Sequence, residues 1–310
     1  MRILVTGGNG SIGQGLVPSL LDRGHTVVVL DKELGAVRRI AHPLLVPISG
    51  RVEDASTVAE AARGAEAIIH LAWSFSDDPR ELLEHDLRGH LLLLDAVRTE
   101  RVRHFLYTST AVVYGKPARA PIDEDHPLRV LEARKPAYGI AKEFAEKLTL
   151  LAASQGSLSA TVVRFWWAFA KDIAGRHLRD MLQTSAAGKP VVVPGDCGGS
   201  FLSQEDFNRA VEMILARPAD TGRVFNLASA YVTWEEVARI VVEVTGSTAG
   251  VQVVPRAEWK GAAFLADRWE LDDRRIRAEL GFRPSSDPAG VQAGLRRAIR
   301  KTWEGIRTQG

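Results

Sequence analysis

Little in this 310-residue sequence ties it to a membrane, a metal or a nucleic acid. It has one cysteine, Cys197, which rules out an internal disulfide and fits a reducing compartment. No apolar run approaches the ~18 residues of a membrane-crossing helix, and the opening "MRILVTGG" holds too short an apolar run for a secretion signal. A formal net charge of +2 gives no electrostatic case for nucleic acid or an anionic membrane surface. The 8 histidines are scattered, with no H-x-x-x-H or similar spacing, so no metal site is expected. Internal repeats, low-complexity tracts and long linkers are missing too. What remains is a folded chain, expected to be soluble and cytoplasmic and to act on a small molecule. Its 45% hydrophobic and 25% charged residues are ordinary for that class.

Strand-length apolar runs alternate with helix-length segments through the first half. The runs "RILVT" (2–6), "TVVVL" (26–30), "LLVPI" (44–48), "AIIHLA" (67–72), "HFLYTS" (104–109) and "ATVVRF" (160–165) read as strands apolar on both faces. Helical segments lie between them near 12–23, 55–63, 80–99 and 137–154. That pattern predicts an α/β protein with a doubly wound parallel sheet, covered by helices on each side. After Phe165 the rhythm breaks. Short apolar pieces at 191–193, 224–228 and 251–254 mix with helices near 205–216, 234–245 and 287–305. The last helix puts Val291, Leu295, Ile299, Trp303 and Ile306 on one stripe, which turns its arginines to water. The expected organisation is a Rossmann domain, 1–165, rejoined by 201–230, with a smaller interleaved lobe from 166–200 and 231–310.

The first strand runs into "TGGNGSIG" and then into a helix, with Gly7, Gly10 and Gly13 spaced as G-x-x-G-x-x-G. Glycine permits positive φ and lets backbone N–H groups approach a pyrophosphate, whose charge a helix N-terminus favours. This context points to dinucleotide binding. Asp31 closes the second strand about 18 residues after Gly13, where a carboxylate accepts hydrogen bonds from ribose hydroxyls and repels a 2′-phosphate. NAD is therefore expected over NADP, although Lys32 beside Asp31 softens the repulsion.

The stretch "PAYGIAKEF" sets Tyr138 and Lys142 on one helical face. Alone, the two are as readily a solvated surface pair. Taken with "TGGNGSIG", "YTSTAVVYG" (107–115), "HLAW" (70–73), "GRVFNLAS" (222–229) and "LGFRP" (280–284), they give the chain another aspect. Over nearly its whole length it resembles the extended short-chain dehydrogenase/reductases, and among them the NAD-dependent epimerase/dehydratase family. The resemblance implies that Tyr138 moves the proton of a substrate hydroxyl while hydride passes between substrate and nicotinamide. Thr110 would bind the same oxygen. Lys142 would hold the nicotinamide ribose and, together with the positive nicotinamide, pull the Tyr138 pKa towards neutrality. Further cofactor contacts are implied for Gly7, Gly10, Ser11, Ile12 and Gly13, for Asp31, Lys32, Arg51 and Val52, and for Leu71, Ala72, Trp73, Thr108 and Phe165. Substrate would meet Trp73, Thr110, Ala111, Val112, Tyr138, Trp166, Trp167 and Ser200. A homodimer is implied in the same way, through the helix around "LLLLDAV" (91–97).

Four positions depart from that family's pattern. Arg51 stands where an aspartate usually lies near the adenine, and Asp86 replaces the usual asparagine of the following helix. Trp167 takes a common asparagine's place beside a sugar diphosphate, and Ser200 that of an arginine that clamps phosphate. With Trp73, Phe165, Trp166 and Phe169 also present, the pocket is expected to be more apolar than in sugar-nucleotide enzymes, unless Arg176, Arg179 or Arg256 supplies charge. Ala111 and Val112 follow Thr110 where sugar dehydratases carry acids, which disfavours 4,6-dehydration. His70 reads as a buried, hydrogen-bonded histidine and Cys197 as an incidental thiol. Three functions stay open: a 4-epimerase-like enzyme, an NAD(P)-dependent dehydrogenase or ketoreductase on an apolar non-nucleotide substrate, and a non-catalytic NAD-binding regulator. Intact Thr110, Tyr138 and Lys142 argue against the third.

Overall fold

A computed structural model describes residues 1–156, 158–173, 175–217 and 222–309. The six expected strands of the first half are present: β1 (Arg2–Thr6), β2 (Thr26–Asp31), β3 (Leu45–Ser49), β4 (Ala67–His70), β5 (His104–Thr108) and β6 (Ser159–Arg164). With β10 (Arg223–Asn226) they form one seven-stranded sheet in the order β10-β6-β5-β4-β1-β2-β3, parallel at every pairing. The helices α1 (Gly13–Asp22), α2 (Ala55–Ala62), α4 (Arg88–Glu100) and α5 (Pro136–Ser154) return the chain between them. Burial on both faces follows from the unbroken apolar strands: Ile3, Val5, Val27 and Val29 enter one core, Leu4, Val28, Ile68 and Phe105 the other. Each fully buried aliphatic side chain of this kind contributes roughly 1.5–3 kcal/mol. No helix is long and apolar enough to cross a membrane among the described residues.

The segment expected as one helix over 80–99 is broken. A single turn, α3 (Pro79–Glu81), leads into a π-helical turn at Leu82–Leu87 before α4 begins. The wider turn carries Asp86, 4% exposed, inward to accept hydrogen bonds from Ser74 N at 2.9 Å and Ser74 Oγ at 2.5 Å. Such π insertions recur at functional sites.

Beyond β6 a second core forms around β7 (Trp167–Phe169), α6 (Arg176–Ala186), β8 (Val191–Pro194), β9 (Gly198–Ser203), β11 (Ala230–Thr233), α8 (Trp234–Thr245), β12 (Val251–Val254), β13 (Arg268–Trp269) and α10 (Pro288–Gln309). Its strands make a sheet with β9 between β11 and β13, β7 also pairing with β9, and a separate β8–β12 pair. On α10, Val291, Leu295 and Ile299 are buried, as the stripe requires. The helix α7 (Gln204–Ala216) crosses back to α1, where Gln204 Nε2 donates to Ile12 O at 3.1 Å and Asn208 Nδ2 to Gly15 O at 3.0 Å. Helix α9 (Arg274–Leu280) likewise delivers Ile276 and Leu280 to the large sheet's core.

Candidate active site

The turn after β1 is shaped by glycine. Gly7 has φ of +73°, and a Cβ there would lie 2.6 Å from Ala72 N; a Cβ on Gly13 would lie 2.5 Å from Gly7 O. Side chains are thereby excluded, and backbone approaches backbone. Helices α2, α7 and α8 are capped by Asp54, Ser203 and Thr233, whereas Ile12, at the N-cap position of α1, provides no side-chain cap. Gln14 N and Gly15 N of the first turn of α1 donate to Gly10 O at 2.9 Å and Ile12 O at 3.1 Å. An anion here would therefore be met by the N–H groups just before them, of Ser11, Ile12 and Gly13, and by the helix dipole. At the end of β2, Asp31 accepts from Asn9 N at 2.8 Å, which fixes its carboxylate beside the glycine turn. These residues fit NAD: a side-chain-free glycine turn for pyrophosphate and Asp31 for the adenosine ribose. Lys32 is exposed, and the Arg51 side chain points to Glu53 at 2.5 Å. Val52 packs on α4, where a Cβ on Gly89 would meet it at 2.6 Å.

Tyr138 and Lys142 leave the first turns of α5, which opens with Pro136 in place of a side-chain cap. Both are buried, at 6% and 3% exposure, so they are no surface pair. Lys142 Nζ donates to Thr108 O at 2.9 Å and lies 4.0 Å from the Trp73 ring centre. Thr110 caps the short turn Ala111–Tyr114, its Oγ1 accepting from Val112 N at 3.2 Å, and its hydroxyl is close enough to the Tyr138 phenol to favour the ionised form slightly. Ala111 N donates to Phe165 O at 2.9 Å, tying this turn to the end of β6. A buried ion pair holds α5 in place: Arg164 of β6 grips Glu146 of α5, with Nη2 to Oε2 at 2.6 Å. Arg164 also donates to the Tyr114 hydroxyl at 3.1 Å, and Tyr114 donates to Asn226 Oδ1 at 2.7 Å. Thr110, Tyr138 and Lys142 are thus brought together from the turn after β5 and from α5.

Their ionisation differs from the sequence expectation. Burial, then the Asp86 carboxylate, push the Tyr138 phenol well up, against a smaller opposing effect of the Thr110 hydrogen bond. Lys142 is lowered to about 7 by burial, which Asp86 and Glu146 resist. The expected pull of Tyr138 towards neutrality is absent from the protein's own groups, because the burial of the phenol and the Asp86 carboxylate both favour its neutral form. Behind Lys142, His70 lies buried with Nδ1 2.7 Å from Thr6 Oγ1, the hydrogen-bonded histidine foreseen. Burial keeps His70 and His90 neutral, the latter lowered to about 3.

Other expected site residues serve the second core. Trp166 and Trp167 pack with Phe201 and Trp234, Trp167 stacking on Phe201 at 5.7 Å. Ser200 is 1% exposed, and its Oγ accepts from Leu271 N at 2.9 Å, so the hydroxyl holds backbone. Arg256 pairs with Asp267 at 3.3 Å, and Cys197 is buried, donating to Ala266 O. No group of metal-ligating side chains occurs among the described residues. Sequence reasoning missed Ser74, Phe75 and Asp77. Asp77 Oδ1 accepts from Tyr138 N at 3.0 Å, and the Phe75 ring stacks on Tyr138 at 5.9 Å.

Residues 3–228 match the model of the NAD dependent epimerase/dehydratase family. A UDP-glucose 4-epimerase of Erwinia amylovora is 32% identical, covering 98% of this chain and 97% of its own. The crystal structure of DesIV, a dTDP-glucose 4,6-dehydratase from Streptomyces venezuelae with NAD bound, is similar at a TM-score of 0.78. It has 25% identity, over 99% of this chain and 97% of that one. A 4-hydroxy-2-methyl-3-oxo-4-farnesyl-3,4-dihydroquinoline-1-oxide ketoreductase of Stigmatella aurantiaca is 31% identical across 54% of this chain and 51% of its own.

Proposed function

Because this chain belongs to the NAD dependent epimerase/dehydratase family, we propose that it is a 4-epimerase-like oxidoreductase acting at a secondary alcohol or ketone carbon of a nucleotide sugar. The observation that carries this reading is the pair of buried Tyr138 and Lys142 with half-buried Thr110, in a chain that also has the glycine cradle. NAD, when bound, supplies the hydride acceptor and donor. Tyr138 takes the proton from the substrate hydroxyl and returns it to the carbonyl oxygen. Thr110 holds that oxygen within reach, and Lys142 contributes positive charge behind the phenol. Dehydration is disfavoured because Ala111 and Val112, directly after Thr110, have no ionisable group to move a proton.

A second reading, a dehydrogenase or ketoreductase on an apolar substrate, is favoured by the internal use of Ser200 and by the aromatic rings near Tyr138. Intact catalytic groups speak against a non-catalytic regulator. Supplying the NAD-loaded protein with UDP-galactose separates the readings. Interconversion with UDP-glucose and no net NADH supports epimerisation, whereas NADH build-up sinks it.

A cytoplasmic homodimer is part of the same proposal. Leu91 of α4 and Ile140, Phe144 and Leu151 of α5 are 45–53% exposed, an outward apolar face of the kind that pairs with a copy of itself. Light scattering that returned a monomer mass would refute the dimer. The division into lobes 1–165 with 201–230, and 166–200 with 231–310, is likewise proposed, with α9 returning to the larger one.

A further inference from the structure

The segment from Trp73 to Asp78 passes between β4 and α3 as a strap without regular structure. Each part of it is tied down. Ser74 N and Oγ bond the buried Asp86, Asp77 Oδ1 receives Tyr138 N, and the Phe75 carbonyl accepts from Lys135 Nζ. Trp73 covers the Lys142 ammonium, and the Phe75 ring stacks on the Tyr138 ring at 5.9 Å and 18°. Yet Phe75 is 78% exposed while Tyr138 is 6% exposed. A phenyl at the end of a loose loop would be free to fold onto apolar surface. This one is held in the open by fixed backbone on both sides, with one face on the phenol and much of the ring in solvent.

On the reading of Tyr138 as the acid and base, we propose that Phe75 is a specificity-determining residue whose open ring face receives a C–H-rich face of the substrate beside the reacting carbon. Aromatic rings favour such contact, because burying apolar surface against them is supplemented by their electrostatic face. Two substrate types offer that chemistry: the pyranose ring of a nucleotide sugar, and the body of an apolar secondary alcohol or ketone. The Asp86–Ser74 and Asp77–Tyr138 bonds are positioning contacts that hold the platform over the phenol.

The test is calorimetric binding of UDP-glucose and of 1-phenylethanol to the NAD-loaded protein and its Phe75→Ala and Phe75→Tyr variants. At least one probe binds the unaltered protein. Phe75→Ala weakens it about tenfold or more, and Phe75→Tyr restores it. NAD affinity and thermal midpoint stay unchanged, since the ring is exposed. Loss confined to UDP-glucose identifies the sugar as the source, and loss confined to 1-phenylethanol the apolar body. Binding of neither probe, or Phe75→Ala binding as tightly as the parent, overturns the proposal. Tyr138→Phe keeps probe binding and loses turnover; a fully active Tyr138→Phe would defeat the proposed function while leaving the Phe75 result standing.

Discussion

The two sides of the site are built from different materials. On the side that fits the cofactor, backbone does the work: Gly7, Gly10 and Gly13 lie in one turn at the start of α1, which has no side-chain cap. On the side proposed for the substrate, side chains from separate segments meet: Phe75 of the strap, Thr110 after β5 and Tyr138 of α5. The difference teaches where change is tolerated. A backbone cradle has no spare volume, so nearly any substitution disrupts it. A wall of side chains is altered ring by ring and changes what it admits.

The joint between the sides gives the largest expected effect. Arg164 and Glu146 are buried partners, at 5% and 2% side-chain exposure, so Glu146→Ala leaves an uncompensated buried guanidinium. A loss of about 3–5 kcal/mol in chemical denaturation is expected. A change within ~0.5 kcal/mol would show that α5 does not depend on that pair. Next comes the cradle. Gly13→Ala places a Cβ 2.5 Å from both Gly7 O and Gly8 Cα, and NAD affinity should fall by about 100-fold. Unaltered NAD binding in a titration would break the contrast, because the turn would then accommodate side chains as the substrate side does.

The smallest effect is a shift in pH. Lys142, lowered to about 7, carries its charge below that value at a desolvation cost in the folded state. As pH rises through 7 the folded chain releases this proton while the unfolded chain keeps it up to the ordinary lysine range. Lys142 therefore contributes stability that increases with pH across that window. The Asp86 carboxylate raises both Lys142 and Tyr138. Asp86→Asn should move both titrations to lower pH, and the phenolate of Tyr138 should appear earlier in ultraviolet difference absorbance taken against Tyr138→Phe. A shift to higher pH would contradict the sign of this interaction.

How much of this was legible depended on chain separation. Gly7 to Gly13 and Tyr138 to Lys142 each lie within a few residues, so spacing marked the first and spacing together with the family resemblance marked the second, and the apolar strands β1 to β6 announced the sheet. Phe75 and Asp77 reach Tyr138 across about 60 residues of chain, with no periodicity to mark them. Strand β9 was hidden by its own glycines: a Cβ on Gly199 would lie 2.2 Å from the Trp166 ring, so the packing that makes the strand also removes its apolar signature. Ser200 was placed by its position in a motif, but position did not reveal that its hydroxyl faces Leu271 N. The π turn was unreadable because Asp86 is a polar residue turned inward, the reverse of the amphipathic pattern.

The most direct test of the central claim compares NAD-loaded parent and Tyr138→Phe proteins in the interconversion of UDP-galactose and UDP-glucose, with NAD affinity measured on both. The account predicts interconversion by the parent without net NADH, a fall in turnover of roughly 10²–10⁴-fold in the variant, and equal NAD affinity. A parent inert to both sugars would contradict the epimerase assignment, and a fully active Tyr138→Phe would contradict the role of the tyrosine.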